Sequence, residues 1–260
     1  MGSKFPNWPR RHYVAGGQHP FLYYVVYGQI DPTRTVSRIK YRLDRIPDGI
    51  DLMTYGPAMH PDMVAWFRRG YNWDQLTTKN PDLAAKVAAQ DRCLVLKGNV
   101  IDPPNLNYFR DVIGFLTFCV DAGGVAIYDP QMFKWWAPSE WCSRIFDPGS
   151  CAPHDHVVIL ISEDGDGKWI HTRGMRKFGR PDLSVHNVGP QYAGAIIELC
   201  NRFIDLLALG GVVAEGQEIR MSSLPAGMRC FRRGSNAEDD PDFNNEHIEI
   251  VWPASTSATA

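Results

Sequence analysis

Two rhythms of apolar and polar residues run along this chain, and each predicts its own kind of element. Residues 21–30, 92–100 and 125–129 are dense in β-branched and aromatic side chains and read as strands. Residues 49–55, 156–162, 168–171, 229–233 and 247–252 read the same way. In the last of these, Ile248, Ile250 and Trp252 alternate with His247, Glu249 and Val251, which predicts an apolar face and a polar face carrying His247 and Glu249. Helical spacing is clear at Leu106, Phe109, Val112, Leu116 and Cys119, and again at Ile196, Leu199, Phe203 and Leu206. Gly123-Gly124 and Gly210-Gly211 supply the left-handed turns that stop these two helices. A further helix is expected after Asp31-Pro32, with Val36, Ile39, Leu43 and Ile46 on its inner side. Its outer side carries Arg34, Arg38, Lys40, Arg42 and Arg45, read as a solvated face with an anion-binding surface as the alternative. Shorter helices are expected at 61–69 and 80–89.

The order strand, helix, strand over 92–129 suggests a crossover unit with parallel pairing. The two Asp-Gly pairs in Glu163-Asp164-Gly165-Asp166-Gly167 predict a hairpin turn; the spacing is too short for an EF-hand calcium loop. The fold class is therefore α+β or α/β, a mixed sheet covered by at least two long helices. Three regions are expected: an N-terminal arm with a strand–helix segment (1–80), a main α/β domain (81–252) and a disordered tail (253–260).

Lys plus Arg total 27 against 29 Asp plus Glu, a formal charge of -2, so no nucleic-acid partner is implied by overall charge. No apolar run approaches the ~20 residues needed to cross a bilayer, and the first residues lack a signal-peptide core, so no membrane partner and a cytoplasmic location are expected. The six cysteines are scattered, which favours buried free thiols over a disulfide framework.

The densest chemistry lies between His171 and His186. Arg173, Arg176, Lys177 and Arg180 can neutralise a phosphate or carboxylate, while Gly174 and Gly179 let a ligand approach backbone N–H groups. His171 or His186 can act as a general base near neutral pH, with Asp182 orienting the imidazole. The competing reading is a structural turn with solvated cations. A second set, Cys142, Cys151, His154 and His156, has the ligand types of a zinc site, although its spacing fits no standard finger. A third, His247 with Glu249, shares one polar strand face. No Gly-rich phosphate loop, nucleophile elbow or paired-histidine zincin helix occurs.

The pattern His171-Thr-x-Gly-Met-x-x-x-Gly-x-Pro-Asp182 resembles the signature of a bacterial family of domains of unknown function. Gly123-Gly-Val-Ala-Ile-Tyr-Asp129, Leu209-Gly-Gly-Val-Val213 and Glu215-Gly-Gln-Glu-Ile219 are similar to further parts of that family. The resemblance covers roughly residues 90–252 and implies a fold and domain limits, with no catalytic role attached. The turn here is more basic than the signature requires.

The leading expectation is an enzyme or binding protein for a small anionic molecule, held by the basic residues of 171–186. The alternative is a non-catalytic cytosolic interaction module, of an immunity or toxin-neutralising type, whose protein partner meets an exposed aromatic loop at 129–141 carrying Trp135, Trp136 and Trp141. A metal-dependent hydrolase using His154 and His156 is the third reading. No organic cofactor is expected, and zinc is the one candidate metal.

Overall fold

The computed structural model describes residues 5–234 and 244–253. All but Pro253 of the expected tail, and the acidic stretch 236–242 of the sequence, lie outside the described residues. The fold is α+β, built as two compact units. The first takes the chain up to Arg10 and then His19–Asp155; the second takes Arg11–Gln18 and the chain from His156 onward. Position 80, the limit drawn from the sequence, lies inside the first unit.

The first unit holds strands β1 (Phe21–Gly28), β2 (Ile50–Tyr55), β3 (Cys93–Asn99), β4 (Gly124–Asp129) and β5 (Lys134–Trp136). Its helices are α1 (Pro61–Trp66), α2 (Tyr71–Lys79), α3 (Pro81–Ala88), α4 (Asn107–Asp121) and the short α5 (Pro138–Trp141). The sheet order is β2-β3-β1-β4-β5, antiparallel throughout. The strand β1 sits at the centre and is buried on both faces, which is why it reads as a continuous apolar run. Val25 and Tyr27 pack with Val64, Leu76, Leu83 and Val87 from α1–α3, where Asn80 Oδ1 accepts the Leu83 N–H and starts α3. Helix α4 packs against β1 and β4 and is buried from Tyr108 to Val120.

Three expectations about this unit are corrected. The strands β3 and β4 do not pair in parallel; both pair antiparallel to β1, which lies between them. No helix follows Asp31-Pro32. The Asp31 carboxylate accepts from the Thr33 N–H and hydroxyl as an N-cap would, but the chain beyond Thr33 runs on in turns. Arg42 then takes a left-handed backbone, and Ile39, placed on the expected inner side, is 82% exposed. Most of the five cations of this segment reach specific partners: Arg34 the Asp121 carbonyl, Lys40 the Asp121 carboxylate at 2.6 Å, Arg42 the Phe146 carbonyl and Arg45 the Asp48 carboxylate. The third correction concerns the aromatic loop, which is not exposed. Trp135, Trp136 and Trp141 are all buried: Trp135 stacks on Tyr128 at 4.3 Å, and Trp141 stands edge-on to Tyr24 while its indole N–H donates to Thr117 Oγ1 at 2.9 Å. The strand β5, unread in the sequence, carries Trp135 and Trp136 into the core.

The second unit holds β6 (Val158–Asp164), β7 (Gly167–Arg173), β8 (Asp182–Val188), α6 (Ala193–Ala208), β9 (Arg229–Arg233) and β10 (His247–Val251). Its order is β6-β7-β8-β10-β9, with β8 and β10 parallel and every other pair antiparallel. The Asp-Gly pairs form the β6–β7 hairpin as expected, Asp164 pairing with Gly167 across a two-residue turn. Ile170, Leu183, Val185, Ile248 and Ile250 are fully buried on the sheet, and α6 packs against β7 and β8. Helix α6 ends as its sequence predicts: Gly210 is left-handed, its N–H donates to the Leu207 carbonyl and that of Gly211 to Leu206, a Schellman arrangement.

Candidate functional site: a polar sheet face in the second unit

Residues 171–186 are not one loop. His171 belongs to β7, residues 175–178 make a single 3-10 turn, and the chain returns at once as β8. The alternation Leu183, Val185 against Ser184, His186 carries the strand signal that the basic turn masked. Pairing of β7 with β8 sets His171 opposite Ser184, and pairing of β8 with β10 sets Ser184 opposite Glu249 and Asp182 opposite His247. Side chains of equal parity on these strands share a face, so Trp169, His171, Ser184, His186, His247 and Glu249 come together opposite the buried aliphatic face.

The centre of this face is the Trp169 indole. The His171 ring stacks on it at 3.8 Å and 21°, and the His186 ring at 5.1 Å and 7°. The indole N–H donates to Ser184 Oγ at 3.0 Å. His186 Nδ1 lies 2.9 Å from Asp164 Oδ2, and the same oxygen accepts the Asn187 N–H at 2.9 Å. Those bonds, the Asn187 amide first and His186 second, hold the Asp164 carboxyl below its ordinary value. An ionised carboxylate only accepts, so Nδ1 carries a proton toward Asp164. The His186 side chain is 45% exposed, which leaves Nε2 able to meet a ligand.

His171 is set differently. Burial, then the nearby charges of Arg173, His186 and His247, lower its pKa to about 4, so it is neutral at pH 7. His247 Nε2 lies 3.8 Å from Glu249 Oε2, on the shared face that strand parity predicts. Burial raises the Glu249 carboxyl, against a hydrogen bond from Ser184 and the charges of His186 and Arg233. His171, Asp164 and Glu249 therefore each feel another member of the set.

The remaining residues singled out in 171–186 have other duties. Asp182 is buried and accepts from Thr172 Oγ1 at 2.9 Å, from the Met175 N–H at 3.3 Å and from Asn245 Nδ2 at 2.9 Å, knitting β7, the turn and the start of β10. Burial raises it to about 6 despite those bonds. Arg180 is buried and donates to the carbonyls of Gly179, Gly210, Gly211 and Val14. Arg176 donates to the Asn244 carbonyl at 2.8 Å, and Lys177 is wholly buried. Gly174 has φ of +120°, and a Cβ there would stand 2.4 Å from the His156 carbonyl oxygen, so the turn needs glycine; Gly179 closes it in the left-handed region. Of the expected anion-binding cations, Arg173 alone sits beside the imidazole cluster. Trp169 and Asp164 escaped sequence reading, although Trp169 lies two positions before His171 and so had to share its face.

Among the described residues no three His, Cys, Asp or Glu side chains are grouped as metal ligands. Cys142 and Cys151 are half-buried, His154 is exposed on a single 3-10 turn, and His156 is buried edge-on to Phe178. Burial, with Lys177 nearby, keeps the His156 imidazole neutral, its pKa well below the usual value. None of the six cysteines forms a disulfide, and burial raises the thiols of Cys93, Cys119, Cys200 and Cys230 to about 11 or 12, which makes them poor nucleophiles. No helix among the described residues is long and apolar enough to cross a membrane. Comparison of the chain with protein-family models, with curated proteins and with solved structures returned no match.

Proposed function

We propose that the second unit binds a small anionic molecule on its polar sheet face and exchanges a proton with it through His186. The observation that carries this reading is one strand face on which His171 and His186 stack on Trp169, Asp164 holds His186, and His247 lies near Glu249. Asp164 fixes the tautomer and orientation of His186, so Nε2 serves as the base and, once protonated, as the acid. Arg173 and Arg233, whose charges reach His171 and Glu249, make the cluster's edges positive and attract a phosphate or carboxylate. His171 stays neutral and supplies a hydrogen bond without adding charge. This reading moves the anion from Arg176 and Arg180, which hold backbone carbonyls, to Arg173 and its neighbours. A cytoplasmic setting accords with it, because free thiols persist where the medium is reducing.

The test is calorimetric titration of the full chain with inorganic phosphate, citrate and adenosine monophosphate at pH 6 and pH 8. At least one anion should bind, more tightly at pH 6, and both Arg173→Gln and His186→Asn should weaken it by about tenfold, the loss of roughly one charged contact. Binding that is unchanged in both variants, or absent for all three anions, contradicts the reading.

A further inference from the structure

A hollow in the same unit lies at the C-terminal end of α6, apart from the imidazole face. Its volume is about 180 Å³, several times the ~30 Å³ that one water takes in the liquid. Leu207, Gly211 and Gly179 form part of its wall, and Arg232, Glu246 and Gln18 bring polar groups to it. Arg180 also lines it, but its guanidinium is engaged by four backbone carbonyls, one of them that of Gly211. Arg180 therefore shapes the hollow without offering it a fresh anchor.

The other three polar groups stand differently. Arg232 is exposed on β9 and Glu246 half-buried at the head of β10, yet among the described residues neither side chain forms an ion pair, with the other or with any third group. Gln18 Nε2 is buried with no hydrogen-bond partner among the described residues. A buried amide donor without an acceptor costs free energy, and a ligand oxygen would remove that cost. Opposite charges that line one small space without touching fit a guest carrying both charges in the reverse order. A simple anion meets Glu246 and a simple amine meets Arg232, so each is disfavoured by one wall.

We propose that this hollow binds a small zwitterion of the α-amino-acid class. The carboxylate lies against Arg232 and the Gln18 amide, and the ammonium lies against Glu246. The nearby end of α6 favours the positive group, because carbonyl dipoles point out of a helix C-terminus. The volume admits a short side chain, which would rest on Leu207 and Val213. The site is independent of His186 and of the anion reading above.

The experiment is calorimetric titration of the full chain with glycine, L-alanine and L-serine, and with two blocked probes, N-acetyl-L-alanine and L-alaninamide. At least one free amino acid should bind saturably, and both blocked probes should bind at least about tenfold more weakly than alanine, the scale of one lost charged contact. Arg232→Gln and Glu246→Gln should each weaken alanine by at least about tenfold, whereas Arg232→Lys retains most of the affinity and Arg202→Gln, on the exposed side of α6, leaves it unchanged. In Glu246→Gln the difference between alanine and N-acetyl-L-alanine should close. Circular dichroism confirms that each variant is folded. No saturable binding by any of the three amino acids at about 10 mM, equal binding of the blocked probes, or indifference to both charge-removing variants overturns the proposal.

Discussion

The cations of the second unit serve two opposite ends. Arg176 and Arg180 turn their guanidinium groups inward to backbone carbonyls, and Lys177 is sealed off from water. Arg173, only three residues before Arg176, lies instead beside an imidazole cluster on the polar sheet face, as does Arg233 beside Glu249. Charge type does not decide between these roles. The deciding factor is whether the backbone nearby leaves carbonyls without partners. The turn after β7 and the Gly210-Gly211 stop of α6 do so, and Arg180 answers both. On the face of paired strands the cations act through charge as well: Arg173 adds to burial in lowering the His171 imidazole and Arg233 works against burial in lowering the Glu249 carboxyl, while Arg233 Nη1 also donates to the Arg232 carbonyl at 2.9 Å.

The largest effect that can break this contrast is loss of Arg180. Arg180→Met leaves several buried carbonyls without donors and should destabilise the protein by ~3 kcal/mol or more, a fall in Tm of ~10 °C for a unit of this size. Arg173→Gln should change stability by less than ~1 kcal/mol. Chemical denaturation of the two variants measures both; equal losses would erase the distinction.

The next effect is a pair of opposed pH dependences. His171 has its pKa lowered to about 4, so the unfolded chain takes up this proton first and stability is lost as pH falls from ~6.5 to 4. Asp182 has its pKa raised to about 6, so the folded chain holds this proton first and stability is gained as pH falls from 6 to ~4. Each amounts to ~3 kcal/mol, and in the wild type the two largely offset. Against the nearly level wild type, Asp182→Asn should lose stability on acidification and His171→Asn should gain it. Denaturation midpoints between pH 4 and 7 give the slopes. Parallel slopes in all three proteins would show that the two groups do not titrate as described.

The smallest effect on stability belongs to Asp164→Asn. The His186–Asp164 pair is partly exposed, and its loss should cost less than ~1 kcal/mol. Its signature is spectroscopic: the ¹⁵N shifts of His186 should move away from the Nδ1–H tautomer. An unchanged tautomer would remove Asp164 from its orienting role.

The sequence made some of this arrangement legible and hid the rest for identifiable reasons. Strand parity alone placed His247 with Glu249, and helical spacing with two glycines placed α6 and its stop, because both depend on local periodicity. The helix expected after Asp31 does not form even though Asp31 caps Thr33 as an N-cap residue does; the chain breaks into turns and Arg42 is left-handed, which apolar spacing alone does not reveal. The aromatic loop reads as surface because Trp135, Trp136 and Trp141 lie among prolines; burial comes from Tyr24, distant in sequence, and from Tyr128 across the unread β4–β5 pairing. Arg180 reads as a ligand anchor in the sequence because its acceptors at 210 and 211 lie some thirty residues downstream. Asp164 was assigned to a turn, and only the register of β7 and β8 carries it to His186.

Coupling among the imidazoles is the most direct thing to measure. Histidine resonances of the full chain, followed by NMR from pH 3.5 to 8 in the wild type and in His186→Asn, report each ring separately. The cluster predicts that His171 titrates near 4 in the wild type and higher once the neighbouring positive charge of His186 is gone. A His171 ring that titrates near ~6.5, and does so equally in both proteins, contradicts it.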